Sequence, residues 1–143
     1  MTTFRIFLAP FALAFFAGLP AHAQSTAEPA PALRGMDVVS YFKAGGPVPG
    51  QAEFRHDFDG ARYLFANAQN KAAFVAEPDR YLPQFSGLCA TGIALGKDFK
   101  GDPGTWKIVD GKLYLYHSGP VRAKGDADPS TIARAHQNWA ARK

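Results

Sequence analysis

The chain has a single cysteine, Cys89, among 143 residues. An intramolecular disulfide is therefore excluded, and the thiol must be free, bound to a metal or joined to another molecule. Also absent are a Gly-x-Ser-x-Gly elbow, a His-Glu-x-x-His helix and any grouping of carboxylates suited to acid/base work, which argues against a hydrolase. Charged residues are sparse, 20% of the chain, and positive residues alternate with acids, as in Asp79-Arg80 and Lys97-Asp98. Such a surface lacks the basic stripe of a nucleic-acid binder, so nucleic acid is not an expected partner.

Long apolar runs are lacking too, except at the start. Arg5 precedes an apolar stretch from Ile6 to Leu19, then Pro20 and the small-residue pattern Ala21-His22-Ala23. This is the three-part layout of a cleavable signal peptide, with cleavage expected after Ala23. The stretch falls short of the roughly 20 residues needed to span a bilayer, and no cysteine follows it to carry a lipid. Residues 1–23 read as a signal peptide, and the mature protein as periplasmic or secreted rather than integral to the membrane. Cleavage removes Arg5 and no acid, lowering the formal charge of +4 by one.

Residues 24–33, with Pro29 and Pro31 among Ala, Ser and Thr, read as a flexible leader. The remaining chain, 34–143, is sized for one domain. Asp37 is placed to cap a short helix through Phe42, which Gly45-Gly46-Pro47 ends. Phe54, His56 and Phe58 alternate with polar residues ahead of Asp59-Gly60, a two-residue hairpin turn. The returning strand, Ala61 to Phe65, pairs Phe58 with Ala61, His56 with Tyr63 and Phe54 with Phe65 on one face, and Asp57 with Arg62 on the other. His56 thus points with the aromatics, as a core residue hydrogen-bonded to the Tyr63 hydroxyl or as a ligand.

Asn67 caps a helix over Ala68 to Ala76 with Ala68, Ala72 and Val75 on its packed face, completing a ββα unit, and Pro78 opens a short turn. The segment Phe85-Ser86-Gly87-Leu88-Cys89-Ala90-Thr91-Gly92 reads as a glycine-flanked loop. A second hairpin follows, Trp106 to Val109 and Lys112 to His117 around Asp110-Gly111, with Ile108 facing Leu113 and Trp106 facing Leu115. Extending the alternation puts His117 on that apolar side, while Tyr114 and Tyr116 form either a second packing surface or an exposed aromatic patch. Asp128-Pro129 starts a C-terminal helix that packs Ile132, Ala135 and Trp139 and leaves His136 on the surface. No internal repeat is apparent, and hairpins without crossover helices indicate an α+β fold, a single small domain of two antiparallel hairpins, a ββα unit and a C-terminal helix.

One series of residues runs through nearly all of the mature chain: Asp37-x-Val39-x-Tyr41-Phe42, Gly60-x-x-Tyr63-x-Phe65, Pro78-x-x-Tyr81, Pro83-x-Phe85-x-Gly87-x-Cys89-Ala90, Trp106 to Leu115 and Asn138-Trp139. It resembles the exported, stand-alone YHS-domain proteins of bacteria, distantly related to TRASH domains. The resemblance implies metal handling, since related domains bind heavy metals through spaced cysteines. This chain departs from them, with Leu64, Phe65, Ala66, Asn67 and Gln69 where those cysteines would lie.

Cys89 with an imidazole or thioether suits Cu(I), and Cys with two histidines suits Cu(II) or Zn(II), so the candidate ligands are Cys89, His56, His117 and Met36, copper first and zinc second. Alternatives are a single-thiol redox protein built on Cys89 and a module that binds a non-metal small ligand or partner. A non-enzymatic role is the expectation.

Overall fold

The computed structural model describes residues 28–142, so the stretch read as a signal peptide and the first residues read as a leader lie outside the described residues. The elements are β1 (Gln51–Phe58), β2 (Ala61–Phe65), α1 (Ala68–Ala76), α2 (Pro78–Tyr81), α3 (Ala90–Ala94), β3 (Asp102–Val109), β4 (Lys112–Tyr116), α4 (Gly119–Asp126) and α5 (Thr131–Ala140). Two separate two-stranded antiparallel sheets, β1-β2 and β3-β4, carry the helices. The fold is α+β in one compact domain, as the hairpin signals require.

The same motif occurs twice, which corrects the reading that the chain has no internal repeat. Each copy opens on a proline in extended conformation, Pro31 or Pro83, followed by a tight 3-10 turn, Ala32–Gly35 or Gln84–Gly87. The last three residues of each turn are left-handed, with φ of 53°, 53° and 83° at Leu33, Arg34 and Gly35, and 58°, 53° and 78° at Phe85, Ser86 and Gly87. Asp37 or Cys89 then caps a short helix, the 3-10 helix Val38–Phe42 or α3. The cap residue's own N–H is anchored in both copies, Asp37 to the Val48 carbonyl at 2.9 Å and Cys89 to the Phe99 carbonyl at 2.8 Å. Next come Gly50 and Gly101, whose N–H groups donate to the Gly35 and Gly87 carbonyls at 2.8 and 3.0 Å. A Cβ on Gly50 would strike the Leu64 backbone, and one on Gly101 the Leu115 side chain and the Gly87 carbonyl. Each copy continues with a bulged hairpin and a helix entered from an extended cap, Asn67 or Ser118.

Both turns use aspartate and glycine with positive φ, 48° and 74° at Asp59-Gly60, and 49° and 73° at Asp110-Gly111, matching the twist of the strands. Pairing near the turns follows the alternation: Phe58 with Ala61, His56 with Tyr63, Ile108 with Leu113 and Trp106 with Leu115. Further out, a bulge places Gln51, not Phe54, opposite Phe65, and the second hairpin repeats it with Asp102 opposite Tyr116. Alternation predicts pairing only until an extra residue shifts the register.

Burial corrects several other expectations. Residues 28–33 are not a free leader: Pro31 bridges to Arg62, Glu28 pairs with Arg62, and Ala32 and Leu33 pack on the core. Helix α1 buries Asn70 and Phe74, while Ala68 and Ala72 are exposed and Val75 is 49% exposed. The large ring of Phe74, seated among Tyr63, Phe65, Phe58 and His56, outweighs the small alanines in choosing the face. Helix α5 starts at Thr131, because Asp128 accepts from the N–H and hydroxyl of Ser130 and closes a turn of its own before it. Helices α3 and α4 have no counterpart in the sequence reading; Gly92, which closes the segment read as a loop, lies within α3.

Strand β4 is buried on both faces. Leu113 and Leu115 join the first core with Val38, Val39, Tyr41, Phe65 and Phe74, and Tyr114 and Tyr116 join the second with Phe85, Cys89, Ile93 and Ala135. The tyrosines are thus a packing surface, not an exposed patch. The copies are tied by the Tyr41 hydroxyl, which donates to the Pro103 carbonyl at 2.9 Å, and by the Tyr41 and Trp106 rings meeting edge to face at 5.4 Å.

Candidate functional site

Cys89 is fully buried, and its Sγ accepts from the Gly92 N–H at 3.4 Å as the cap of α3. The sequence reading placed it in a glycine-flanked loop and left its exposure open; the helix that it starts encloses it in the second core. The other sequence-predicted ligands belong to other segments of the chain. His56 is half-buried on β1 with its ring 6.2 Å from Phe74, and no hydrogen bond joins it to the Tyr63 hydroxyl among the described residues. Met36 packs on the first core and bridges to Pro49. His117 lies beyond the end of β4 and is exposed, not on the apolar side; its Nδ1 is 3.2 Å from the Lys100 carbonyl and its ring 5.8 Å from Phe99. Among the described residues no three His, Cys, Asp or Glu side chains form a group able to hold a metal ion.

An opening of about 580 Å³ lies between the two copies. Both left-handed turns form its walls, with Leu33 and Arg34 from the first copy and Ser86 and Gly87 from the second. Ala32, Ala61, Leu82, Pro83, Leu88 and Leu115 supply apolar surface. Polar residues line it nearly as extensively: Arg34, Lys100, Asp59, Ser86 and Tyr63. Arg34 reaches across to Asp102 at 2.9 Å, which sets its guanidinium at the cavity's edge. Burial, aided by the Asp59 charge, raises the Tyr63 hydroxyl above its ordinary value, so it stays protonated and able to donate. This volume lies in the range of small-molecule sites, which are mainly apolar with a few polar groups to fix orientation.

Sequence reasoning missed this cavity because it depends on how the two copies meet. A signal was present: Leu-x-Gly and Phe-x-Gly each follow a proline and precede a helix cap, at Pro31 and at Pro83. His136 was missed as well. It is partly covered, with Nε2 2.8 Å from the Tyr114 hydroxyl and its ring 5.0 Å from Phe85. Burial, with Lys112 adding to it, lowers its pKa from the ordinary 6.5.

Among the described residues no helix is long and apolar enough to cross a membrane. Comparison with models of protein families, with curated proteins and with solved structures finds no match to this chain.

Proposed function

We propose that this is an exported binding module of YHS-like ancestry that holds a small, mainly apolar ligand between its two copies of the motif. The observation that carries the reading is the cavity of about 580 Å³, walled by both left-handed turns and lined by aliphatic side chains with polar groups among them. Four non-glycine residues with positive φ line it, Leu33 and Arg34 in the first copy, Ser86 in the second, and Asp59 of the first hairpin turn. Each such conformation costs about 1–3 kcal/mol, a cost that persists only where surrounding structure imposes the shape. Copper or zinc handling through Cys89 ranks second, because a metal would need the buried sulfur uncovered and ligands drawn from separate parts of the fold.

N-phenyl-1-naphthylamine, a neutral apolar fluorophore that brightens on leaving water, tests this reading. Saturable one-to-one enhancement is expected, with loss in Ala61→Trp, whose ring would fill the space while far-ultraviolet circular dichroism confirms that the variant folds. Enhancement unchanged in the folded variant, or none in the parent, would overturn the reading. In the same preparation Cu(I) titrated against a chelator should show no stoichiometric uptake; uptake abolished by Cys89→Ala would restore the metal reading.

A further inference from the structure

A second cleft joins the two copies at a different place, and its chemistry differs from that of the first. It measures about 670 Å³ and is lined by Tyr41, Phe42 and Lys43 of the first copy and by Trp106, Lys107 and Arg122 of the second. Its floor is aromatic and rigid: Tyr41 meets Trp106 edge to face at 5.4 Å, and Phe42 meets Tyr81 in the same way at 5.4 Å.

Three cations rim this floor, and their bonding leaves positive charge over. Lys107 and Arg122 share one carboxylate, Asp126, at 2.7 and 3.6 Å. The Lys107 hydrogen bond holds that carboxyl below its ordinary value, so it is ionised and neutralises only one of the two. Across the cleft Lys43 donates to the neutral amide of Asn70. Asn70 in turn links Lys43 to a carboxylate, Asp37, to which its amide nitrogen donates at 2.6 Å. Asp37 is itself buried and saturated by the N–H groups of Val39 and Ala66, both at 2.9 Å.

We infer that this cleft binds a planar aromatic anion, its ring over Trp106 and Phe42 and its acidic group between Lys43 and Arg122. An aromatic floor with cations at both edges complements a flat π-face carrying a carboxylate, sulfonate or phosphate. The inference is independent of the aliphatic cavity, whose lining shares no residue with this one.

The experiment is isothermal titration of the mature protein with 2-naphthoate and with its neutral counterpart 2-naphthamide. Naphthoate should bind one to one and at least about tenfold more tightly than the amide, and weaken as salt rises. Lys43→Glu combined with Arg122→Glu should reduce naphthoate binding about tenfold or more, close to the affinity of the amide. Both substitutions sit at the rim, and Lys107 keeps Asp126. Lys100→Glu, at the other cavity, should leave naphthoate binding unchanged. Equal affinity for acid and amide, indifference to the double charge reversal, loss in Lys100→Glu instead, or no binding at all would each overturn the inference.

Discussion

The two copies of the motif put different chemistry at the same backbone position. Asp37 caps the first short helix with a buried carboxylate that accepts from the N–H groups of Val39 and Ala66 and from the Asn70 amide. Cys89 caps the second with a sulfur that accepts only from Gly92. The partner differs in step: where the first copy has Asn70 on α1, the second has Val121 on α4, beside the cysteine's core. Phe74 fills the first copy's core, and its counterpart Gly125 leaves space that Thr91, Thr131 and Tyr116 occupy. One backbone plan is thus closed by a polar network in one half and by apolar packing with an added helix, α5, in the other. The short helices need a cap acceptor at this point; how that acceptor is satisfied is free to vary.

The largest effects should come from exchanging these solutions. Asp37→Ala strands three donors in the interior and is expected to destabilise by about 3–5 kcal/mol in urea unfolding, the cost of breaking a buried charged network. Cys89→Ala removes one small side chain and one weak acceptor and should cost only about 1–2 kcal/mol. Cys89→Asp buries a carboxylate with a single donor and should destabilise at least as much as Asp37→Ala. Adding Val121→Asn to it should recover part of that loss, by restoring the partner that the first copy uses. If Cys89→Ala and Asp37→Ala cost the same, or if Val121→Asn worsens Cys89→Asp, the two positions are not equivalent in the sense drawn here.

Core filling gives the next comparison. Phe74→Ala opens a void among four aromatic side chains and should cost about 3–5 kcal/mol. Gly125→Ala moves the second copy toward the first, but the new Cβ meets the Thr91 hydroxyl, which bonds the Val121 carbonyl at 3.2 Å. About 1–3 kcal/mol of overpacking is expected there. Thr91→Ser leaves that hydroxyl in place and should not relieve it, whereas Thr91→Ala should. Relief by both would place the strain on the Thr91 methyl instead.

The ease of reading these features from sequence followed the range of the forces behind them. Asp59-Gly60 and Asp110-Gly111 fix tight turns within two residues, and the pairs beside them followed. Asp37 and Asn67 as caps were legible for the same reason, since each acts two or three residues away. The repeat was not legible, because its copies share backbone conformation more than side chains: Leu33-Arg34-Gly35 and Phe85-Ser86-Gly87 have only glycine in common. Both clefts arise where the copies meet, far apart in sequence, and the first left no more than the faint echo of Leu-x-Gly and Phe-x-Gly after a proline. The metal expectation weakened on similar grounds, as Cys89, His56, His117 and Met36 were grouped by chemistry and the fold spreads them over separate elements.

The smallest effect concerns the lone histidine of the second core. Tyr63 and Tyr114 are equivalent, one opposite His56 and the other opposite Lys107, but only Tyr114 meets a histidine from an added helix. Burial with Lys112 nearby lowers the His136 pKa, so the folded protein binds that proton less readily than the unfolded chain. Its contribution is therefore fully present above the ordinary value of 6.5 and is lost as pH falls through the depressed folded value. Neutral His136 can accept a hydrogen bond from the Tyr114 hydroxyl when Nε2 carries no hydrogen; once protonated it has only N–H groups to present to that oxygen, which must then become the acceptor. Stability measured by urea unfolding should fall as the pH is lowered below 6.5 in the parent, and fall less in His136→Gln, which keeps an amide able to meet the hydroxyl. Equal slopes in the two proteins would mean that the packing of α5 is indifferent to this proton, and that the second copy's added helix is held by Ile132, Ala135 and Trp139 alone.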